Sequence, residues 1–184
     1  MILLTTSRRP TRRIRTLCHD LARSIPNVVR INRGKLSLDG LAEKALELDA
    51  DRVIVVDRWR GGPGKIELFQ TGSEGLIPLS PLIYVVGIRL QREFRGVKTK
   101  PIRPLAITTP YTEPSEVLRF AEALSHFLNV PMLSLDSVLP KYSASMHISS
   151  DAPHRIQVTF VLLPQTIEIG PRITISHVVW EAQQ

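Results

Sequence analysis

A short strand–turn–helix pattern occurs twice in this chain of 184 residues, and its two copies are 103 positions apart. The first copy reads LLTTSRRPTRRIRTLCHDLARSI (residues 3–25), and the second reads AITTPYTEPSEVLRFAEALSHFL (residues 106–128). Each copy has an apolar strand, a Thr-Thr pair and then apolar residues at helical spacing. The repeat predicts two equivalent halves packed together.

The apolar positions of the two predicted helices coincide. The matched residues are Ile14, Leu17, Leu21 and Ile25 in the first copy and Val117, Phe120, Leu124 and Leu128 in the second. Cys18 matches Ala121, so both helices place a small residue on the inward face. Pro10 suits the first turn of the first helix and Pro26 ends it.

The segments between the copies alternate between strand and helix. NVVRIN predicts a strand, LSLDGLAEKALELD a helix capped by Ser37 or Asp39, and DRVIVVDRW a central strand. The second helix is expected to bury one face, formed by Leu38, Leu41, Ala45 and Leu48. IELFQ and PLIYVVGIRLQREF predict further strands, so the fold class is α/β.

The second half continues differently. RIQVTFVLLP and TIEIGPRITISHVVWEA predict strands, and no segment matches the helix at 38–49. Residues 137–154 predict an irregular connection.

Positive charge is concentrated at the start of the chain. Residues 1–35 hold nine Lys and Arg against Asp20 alone, a net charge of +8, whereas the other 149 residues are close to neutral. A second basic cluster runs from Arg89 to Arg103. Such a local excess is typical of a polyanion-binding surface and predicts a nucleic-acid partner.

The arginines form a stripe on one copy of the repeat only. Arg12, Arg15, His19 and Arg23 recur at helical spacing opposite the apolar stripe. Where the first helix has Arg12, Arg13, Arg15 and Arg23, the second has Ser115, Glu116, Leu118 and His126. We infer that the first copy contacts the ligand.

Two further features favour phosphate contacts. Arg8, Arg9, Arg12 and Arg13 lie at a helix N-terminus, where positive charge opposes the helix dipole unless an anion is bound. The turns NRGK and RGGPGK each end in Gly-Lys, although neither is a P-loop because no Ser or Thr follows the lysine. RGGPGK is either a phosphate-binding turn or a plain hairpin loop.

No catalytic or metal-binding pattern stands out, and no cofactor is predicted. His147 and His154 flank Ser149, Ser150 and Asp151, so an RNA hydrolase remains an alternative. A DNA-binding chromatin protein is another alternative on charge alone. With no run of 18 apolar residues, no signal peptide and the single Cys18, we expect a soluble cytoplasmic monomer without a membrane partner.

The stretches TTSRRPTRRIRTLCHDLARSIPN and INRGKLSLDGLAEKALELDADRVIVVDRWRGGPGKIELF resemble the Brix-domain family of ribosome-biogenesis proteins, above all its short archaeal members. The likeness is specific over residues 3–70 and looser from 80 to 184. It implies a single Brix domain, 1–184, with pseudo-twofold-related halves at about 1–98 and 99–184. It also implies that each half is similar to the anticodon-binding domain of class IIa aminoacyl-tRNA synthetases.

The resemblance also implies a non-catalytic role in binding precursor ribosomal RNA and other assembly proteins during rRNA processing or small-subunit assembly. Together with the helix stripe, it predicts RNA-binding residues at Arg8, Arg9, Arg12, Arg13, Arg15, Arg23, Arg33, Lys35, Arg60 and Lys65. The main alternative is a protein-interaction scaffold whose basic face docks an acidic assembly partner.

Overall fold

A computed structural model describes residues 1–59, 62–94, 104–134, 141–151 and 153–180. The predicted boundary between halves at 98/99 lies outside the described residues, as do Arg60 and the Arg95–Arg103 part of the second basic cluster. In the described part of the chain there are three α-helices: α1 (Arg12–Ser24), α2 (Leu38–Glu47) and α3 (Ser115–Leu128). None of them is long and apolar enough to cross a membrane.

Eleven strands of the described residues form one sheet. They are β1 (Ile2–Thr6), β2 (Val28–Arg30), β3 (Arg52–Trp59), β4 (Gly62–Gly72), β5 (Gly75–Arg89), β6 (Leu105–Thr109), β7 (Met132–Ser134), β8 (Ala144–Asp151), β9 (Arg155–Leu162), β10 (Ile167–Glu168) and β11 (Arg172–Val179). A short 3-10 helix, Gln91–Glu93, follows β5.

The strand order is β2-β1-β3-β4-β5-β11-β9-β8-β6-β7, with β10 paired to β9. On one side, β1 is parallel to β2 and β3; on the other, β6 is parallel to β7 and β8. All other pairs are antiparallel. The pairing pattern therefore reads the same from both edges.

The register repeats as well as the order. Leu4 pairs with Ile54 and Ile54 with Leu68; their matches Ile107, Met146 and Phe160 pair in the same way. At the centre, Val85 of β5 pairs with Ile175 of β11. On either side of this pair, Gly87 pairs with Thr174 and Tyr84 pairs with His177. This is expected if β5 and β11 are equivalent strands, because exchanging the two strands turns one of these pairs into the other.

Helices α1 and α3 cover the same face of the sheet. The predicted stripes, Ile14 to Ile25 and Val117 to Leu128, are buried in one core shared by both halves, and Cys18 and Ala121 are fully buried within it. Arg52 of β3 donates to the carbonyls of His126 and Phe127 at 3.0 and 2.5 Å, which ties the last turn of α3 to the first half.

Helix α2 covers the opposite face, and only in the first half. Leu41 and Ala45 pack there against Leu3, Val53 and Val55. Ser37 is the cap, since its hydroxyl accepts the Gly40 N–H at 3.0 Å. The prediction that Leu38 is buried is wrong, since Leu38 is 49% exposed. Leu38 is the first residue of α2, and the buried residues of the helix begin at Leu41.

The described residues of the second half have no counterpart of α2, and the sheet residues explain why. Ser145 and His147 stand at the positions that match Val53 and Val55. Thr108 hydrogen-bonds both, at 2.8 Å to the Ser145 hydroxyl and 3.1 Å to the His147 ring. A hydroxyl-lined face offers an apolar helix little to bury.

Two loop predictions are corrected. Gly62–Lys65 of the RGGPGK turn belongs to β4, where Pro63 and Lys65 pair with Arg58 and Asp57 of β3. The predicted irregular connection at 137–154 contains β8 at Ala144–Asp151, in which the apolar residues Ala144, Met146 and Ile148 alternate with polar ones. Residues 137–140 and 152 of that connection lie outside the described residues.

The shared core predicts that damage in one half is felt in the other. Phe120 of α3 is fully buried, so Phe120→Ala should cost about 3–5 kcal/mol of unfolding free energy. Cys18 of α1 is protected by burial, which raises its pKa to about 12. We expect Phe120→Ala to speed alkylation of Cys18 by about tenfold for each 1.4 kcal/mol of lost stability, measured by mass spectrometry against urea unfolding.

Tyr111→Ala is the control, because Tyr111 is 72% exposed. Unchanged Cys18 alkylation in a destabilised Phe120→Ala protein would show that the halves unfold independently.

Candidate nucleic-acid interface

The arginines of the first half are gathered by its parallel strands. Strands β2, β1 and β3 run in the same direction, so their carboxyl ends lie at one edge of the sheet. The segments that leave this edge contain Arg33 after β2, Ser7 to Arg9 after β1, and Arg58 near the end of β3. Ligands of open α/β sheets commonly bind at such an edge.

Helix α1 continues the basic surface away from the edge. The Thr11 side chain caps α1 by accepting the Ile14 N–H at 3.3 Å. Because the apolar stripe of α1 is buried against the sheet, the opposite side of the helix faces solvent. Arg12, Arg15 and Arg23 are exposed, and along the helix they span about 16 Å. The guanidinium groups of Arg12 and Arg23 have no hydrogen-bond or ion-pair partner among the described residues, and that of Arg15 donates there to the Pro10 carbonyl, at 3.4 Å.

Arg13 points to a different partner. Its guanidinium donates to both carboxylate oxygens of Glu93, at 3.2 and 3.3 Å, and to the Ile88 carbonyl at 3.1 Å. Glu93 also accepts the Leu90 N–H at 2.6 Å. The Leu90 N–H and then Arg13 lower the pKa of Glu93. Arg13 therefore fastens α1 to the end of β5 and is not open for a ligand.

The pKa of His19 reflects the positive charge of the α1 surface. Partial burial lowers its pKa, and the positive charges of Arg30 and Arg23 lower it further. Arg30 on β2 donates to Asn32 at 2.7 Å, and its Nε is buried without a partner. Arg30 thus adds to this surface.

Arg8 and Arg33 converge on one acceptor. Their Nε atoms donate to the Leu36 carbonyl at 3.3 and 2.8 Å. Arg33 is only 7% exposed, and burial followed by the charge of Arg8 lowers its pKa. Gly34 at φ 53° forms the NRGK turn that presents Lys35 to solvent.

Lys65, in the predicted RGGPGK turn, is already paired with a carboxylate of the chain. Lys65 forms an ion pair of 2.8 Å with Glu67, two residues along β4. Of the ten predicted RNA-binding residues, Arg13 and Lys65 are thus neutralised by carboxylates of this chain, and Arg60 is outside the described residues. Those left without a carboxylate partner in the described residues are Arg8, Arg9, Arg12, Arg15, Arg23, Arg33 and Lys35.

Helix α3 shows how the same scaffold looks without the basic face. Its exposed charged residues are Glu116, Arg119 and Glu122. The guanidinium carbon of Arg119 lies 3.9 Å from the centre of the Trp180 ring, so this arginine makes a cation–π interaction within the chain. No arginine surface remains on this helix.

The alternative catalytic residues are not arranged as a triad. The His147 ring bonds Thr108, and burial lowers the pKa of His147. The backbone N–H of Ser150 donates to Glu113 at 2.8 Å. Among the described residues, no group of three His, Cys, Asp or Glu could hold a metal ion.

Sequence reasoning overlooked Ser7, Arg30 and Arg58 at this surface. The available signal was the direction of the strands, because three parallel neighbours must deliver their following residues to one edge. The strands were predicted without their pairing, so Arg58 was not connected with Arg33.

No protein-family model matches the chain. A probable Brix domain-containing ribosomal biogenesis protein of Pyrococcus abyssi is 34% identical to it, over 98% of this chain and 84% of the relative. The solved structure of a probable ribosomal biogenesis protein from Aeropyrum pernix K1 is similar, with a TM-score of 0.79, 28% identity and coverage of 97% and 98% of the two chains. An archaeal Imp4-like protein shares the fold, with a TM-score of 0.64, 22% identity and coverage of 96% and 97%.

The engaged and open arginines should differ in their effect on stability. Arg13→Ala should lower stability by up to about 1 kcal/mol, since the ion pair is exposed. Arg12→Ala should not lower stability, because it removes an unpaired positive charge that opposes the helix dipole by roughly 0.3–1 kcal/mol at low salt. Because the pKa of Glu93 is lowered in the folded state, the stabilisation by Arg13 is present above the unfolded-state pKa. It is lost as the pH falls through the lowered value.

Urea unfolding of both variants at neutral and acid pH checks this. An Arg12→Ala protein as destabilised as Arg13→Ala at neutral pH would contradict the assignment of Arg13 as the structural arginine.

Proposed function

This chain belongs to the Brix-domain family of ribosomal biogenesis proteins, and from that premise we propose that it binds precursor ribosomal RNA through the basic surface of its first half. It acts without catalysis, in the cytoplasm, to assist rRNA processing or small-subunit assembly. The relatives' names describe biogenesis proteins and not enzymes, which supports the non-catalytic role.

One observation carries the proposal. Helices α1 and α3 occupy matching places in the two halves and bury matching stripes, but only α1 leaves arginines exposed and unpaired in the described residues. Neither packing nor helix stability requires these arginines, because α3 packs equally well without them. Arg12 and Arg13 even oppose the dipole of α1, by roughly 0.3–1 kcal/mol each at low salt.

The chemistry of the surface favours phosphates over bases. A guanidinium group can donate two parallel hydrogen bonds to the oxygens of one phosphate. Because binding to a nucleic acid also releases counterions, its affinity depends strongly on salt concentration. Aromatic residues make up 5% of the sequence, too few for an extended base-stacking platform. Recognition therefore rests on the backbone and shape of a folded RNA.

We also propose that residues 1–98 and 99–184 are related by a pseudo-twofold axis at the Val85–Ile175 pair, within one Brix domain. The repeated strand order and register support this relation. On this view each half is built like the anticodon-binding domain of class IIa aminoacyl-tRNA synthetases.

Removing the α1 arginines should weaken RNA binding and its salt dependence. The variant Arg12→Ala/Arg15→Ala/Arg23→Ala should lower the slope of log K against log salt by about 2–3, at roughly 0.7–0.9 for each lost phosphate contact. The measurement is binding to a fragment of small-subunit precursor rRNA at several salt concentrations.

Lys44→Ala/Lys141→Ala/Arg155→Ala is the matched control, since it removes the same charge away from α1 and should keep the slope. Equal slopes for both variants would rule out α1 as the RNA surface. Normal RNA binding by the α1 variant with loss of an acidic assembly protein would favour a protein-docking role instead.

RNA binding should also raise the pKa of His19. Its neighbours Arg30 and Arg23 lower this pKa, and phosphates that pair with the stripe would offset their charge. NMR titration of the ring with and without RNA measures the effect. The signals of His154, exposed in the second half, should not respond to RNA; a response at His154 and none at His19 would place the RNA on the other half.

A further inference from the structure

A cavity of about 470 Å³ opens at the edge where β1 and β3 end, on the face covered by α2. Four arginines, a serine and the first residue of α2 contribute to its lining: Arg8, Arg9, Arg33, Arg58, Ser7 and Leu38. This volume lies within the range of small-molecule sites and suits a nucleotide-sized group.

Two side chains of this cavity have donors without an acceptor in the described residues. Arg33 is 7% exposed; its Nε donates to the Leu36 carbonyl, and its two terminal nitrogens make no hydrogen bond within the described residues. The Ser7 hydroxyl oxygen is buried and has no hydrogen-bond partner. Buried polar groups are normally satisfied, so the Ser7 hydroxyl points to a partner that comes from outside the chain, and the Arg33 guanidinium has donors left for the same group.

The charge of the cavity fits a doubly charged anion. Among its described lining residues, four arginines face two carboxylates, Asp57 and Glu67, which leaves a formal charge of +2 for this part of the lining. Both carboxylates are engaged: Asp57 accepts the Arg58 N–H at 2.6 Å, and Glu67 pairs with Lys65.

The second half lacks this arrangement at the matching edge. Pro110, Tyr111, Thr112 and Ser150 stand where the first half has Ser7, Arg8, Arg9 and Arg58. There a carboxylate of the chain itself, Glu113, accepts the Ser150 N–H at 2.8 Å. The residue matching Glu113 in the first half is Pro10, so the first half provides no acidic group at that position.

We propose that this cavity binds the terminal phosphate of an RNA strand. The inference rests on the proposed function and names the part of the RNA that enters the first half. A terminal phosphomonoester carries close to two negative charges at neutral pH and can enter end-on, whereas an internal phosphodiester carries one and is flanked by nucleosides on both sides. The exposed face of Leu38, at the rim, contacts the last sugar or base.

The test compares one short RNA with three kinds of ends: 5′-phosphate, 3′-phosphate and hydroxyl at both ends. Wild-type protein should bind one phosphorylated form about tenfold more tightly than the hydroxyl form. Arg9→Ala/Arg58→Ala, at two exposed residues of the lining, should abolish most of this preference. Arg33→Gln should do the same, and if it fails to fold, the exposed pair decides.

Thr112→Ala/Ser150→Ala changes the matching edge of the second half and should keep the preference. The α1 variant Arg12→Ala/Arg15→Ala/Arg23→Ala should weaken all three RNAs by a similar factor. Equal binding of the three RNAs by wild type, still weakened by the α1 variant, would overturn the end-binding pocket and leave the proposed function standing. Binding of none of them would overturn both.

Discussion

The pairing of β5 with β11 is the contact on which the rest of this protein depends. It joins two sets of strands, each of which contains three parallel strands, into a single sheet. Val85 pairs with Ile175 at the centre of this sheet, and equivalent strands follow in the same order on both sides. Because the sheet is continuous, α1 and α3 lie on one face and share one core. Neither half would bury its helix stripe as completely alone, so the charged surface of the first half is supported by packing in both.

The two halves have the same frame but different surfaces, and the differences are consistent. In the first half the far face of the sheet is apolar and covered by α2, while the edge and α1 are rich in arginine. In the second half the far face has hydroxyls at Thr108 and Ser145, and Glu113 lies at the edge. A duplicated scaffold lets one copy keep its stability while the other accepts unfavourable charge, because the core residues are the same kind in both.

The basic residues of the first half fall into three groups that composition does not separate. Arg13 and Lys65 are paired with carboxylates of the chain, whereas Arg12 and Arg23 face solvent without a partner in the described residues. Arg33 forms the third group: it is 7% exposed, and its Nε donates to the Leu36 carbonyl. The basic segment of this protein therefore contains one arginine that fastens α1 to the end of β5, several exposed arginines along α1, and a group of arginines that line an open cavity.

The amino-acid sequence determined the local elements, because helical periodicity and β-branched runs act over a few residues. The repeat, the buried stripes of α1 and α3, Ser37 as a possible cap and the concentration of charge could all be read from it. Only the tertiary structure decided that Glu93, 80 residues away, holds Arg13 and that Arg33 and Arg58 meet in one cavity. It also decided that Ala144–Asp151 is a strand and that Leu38 is exposed. These contacts depend on which strands are neighbours and in which direction they run, and pairing between distant segments leaves no local pattern in the chain.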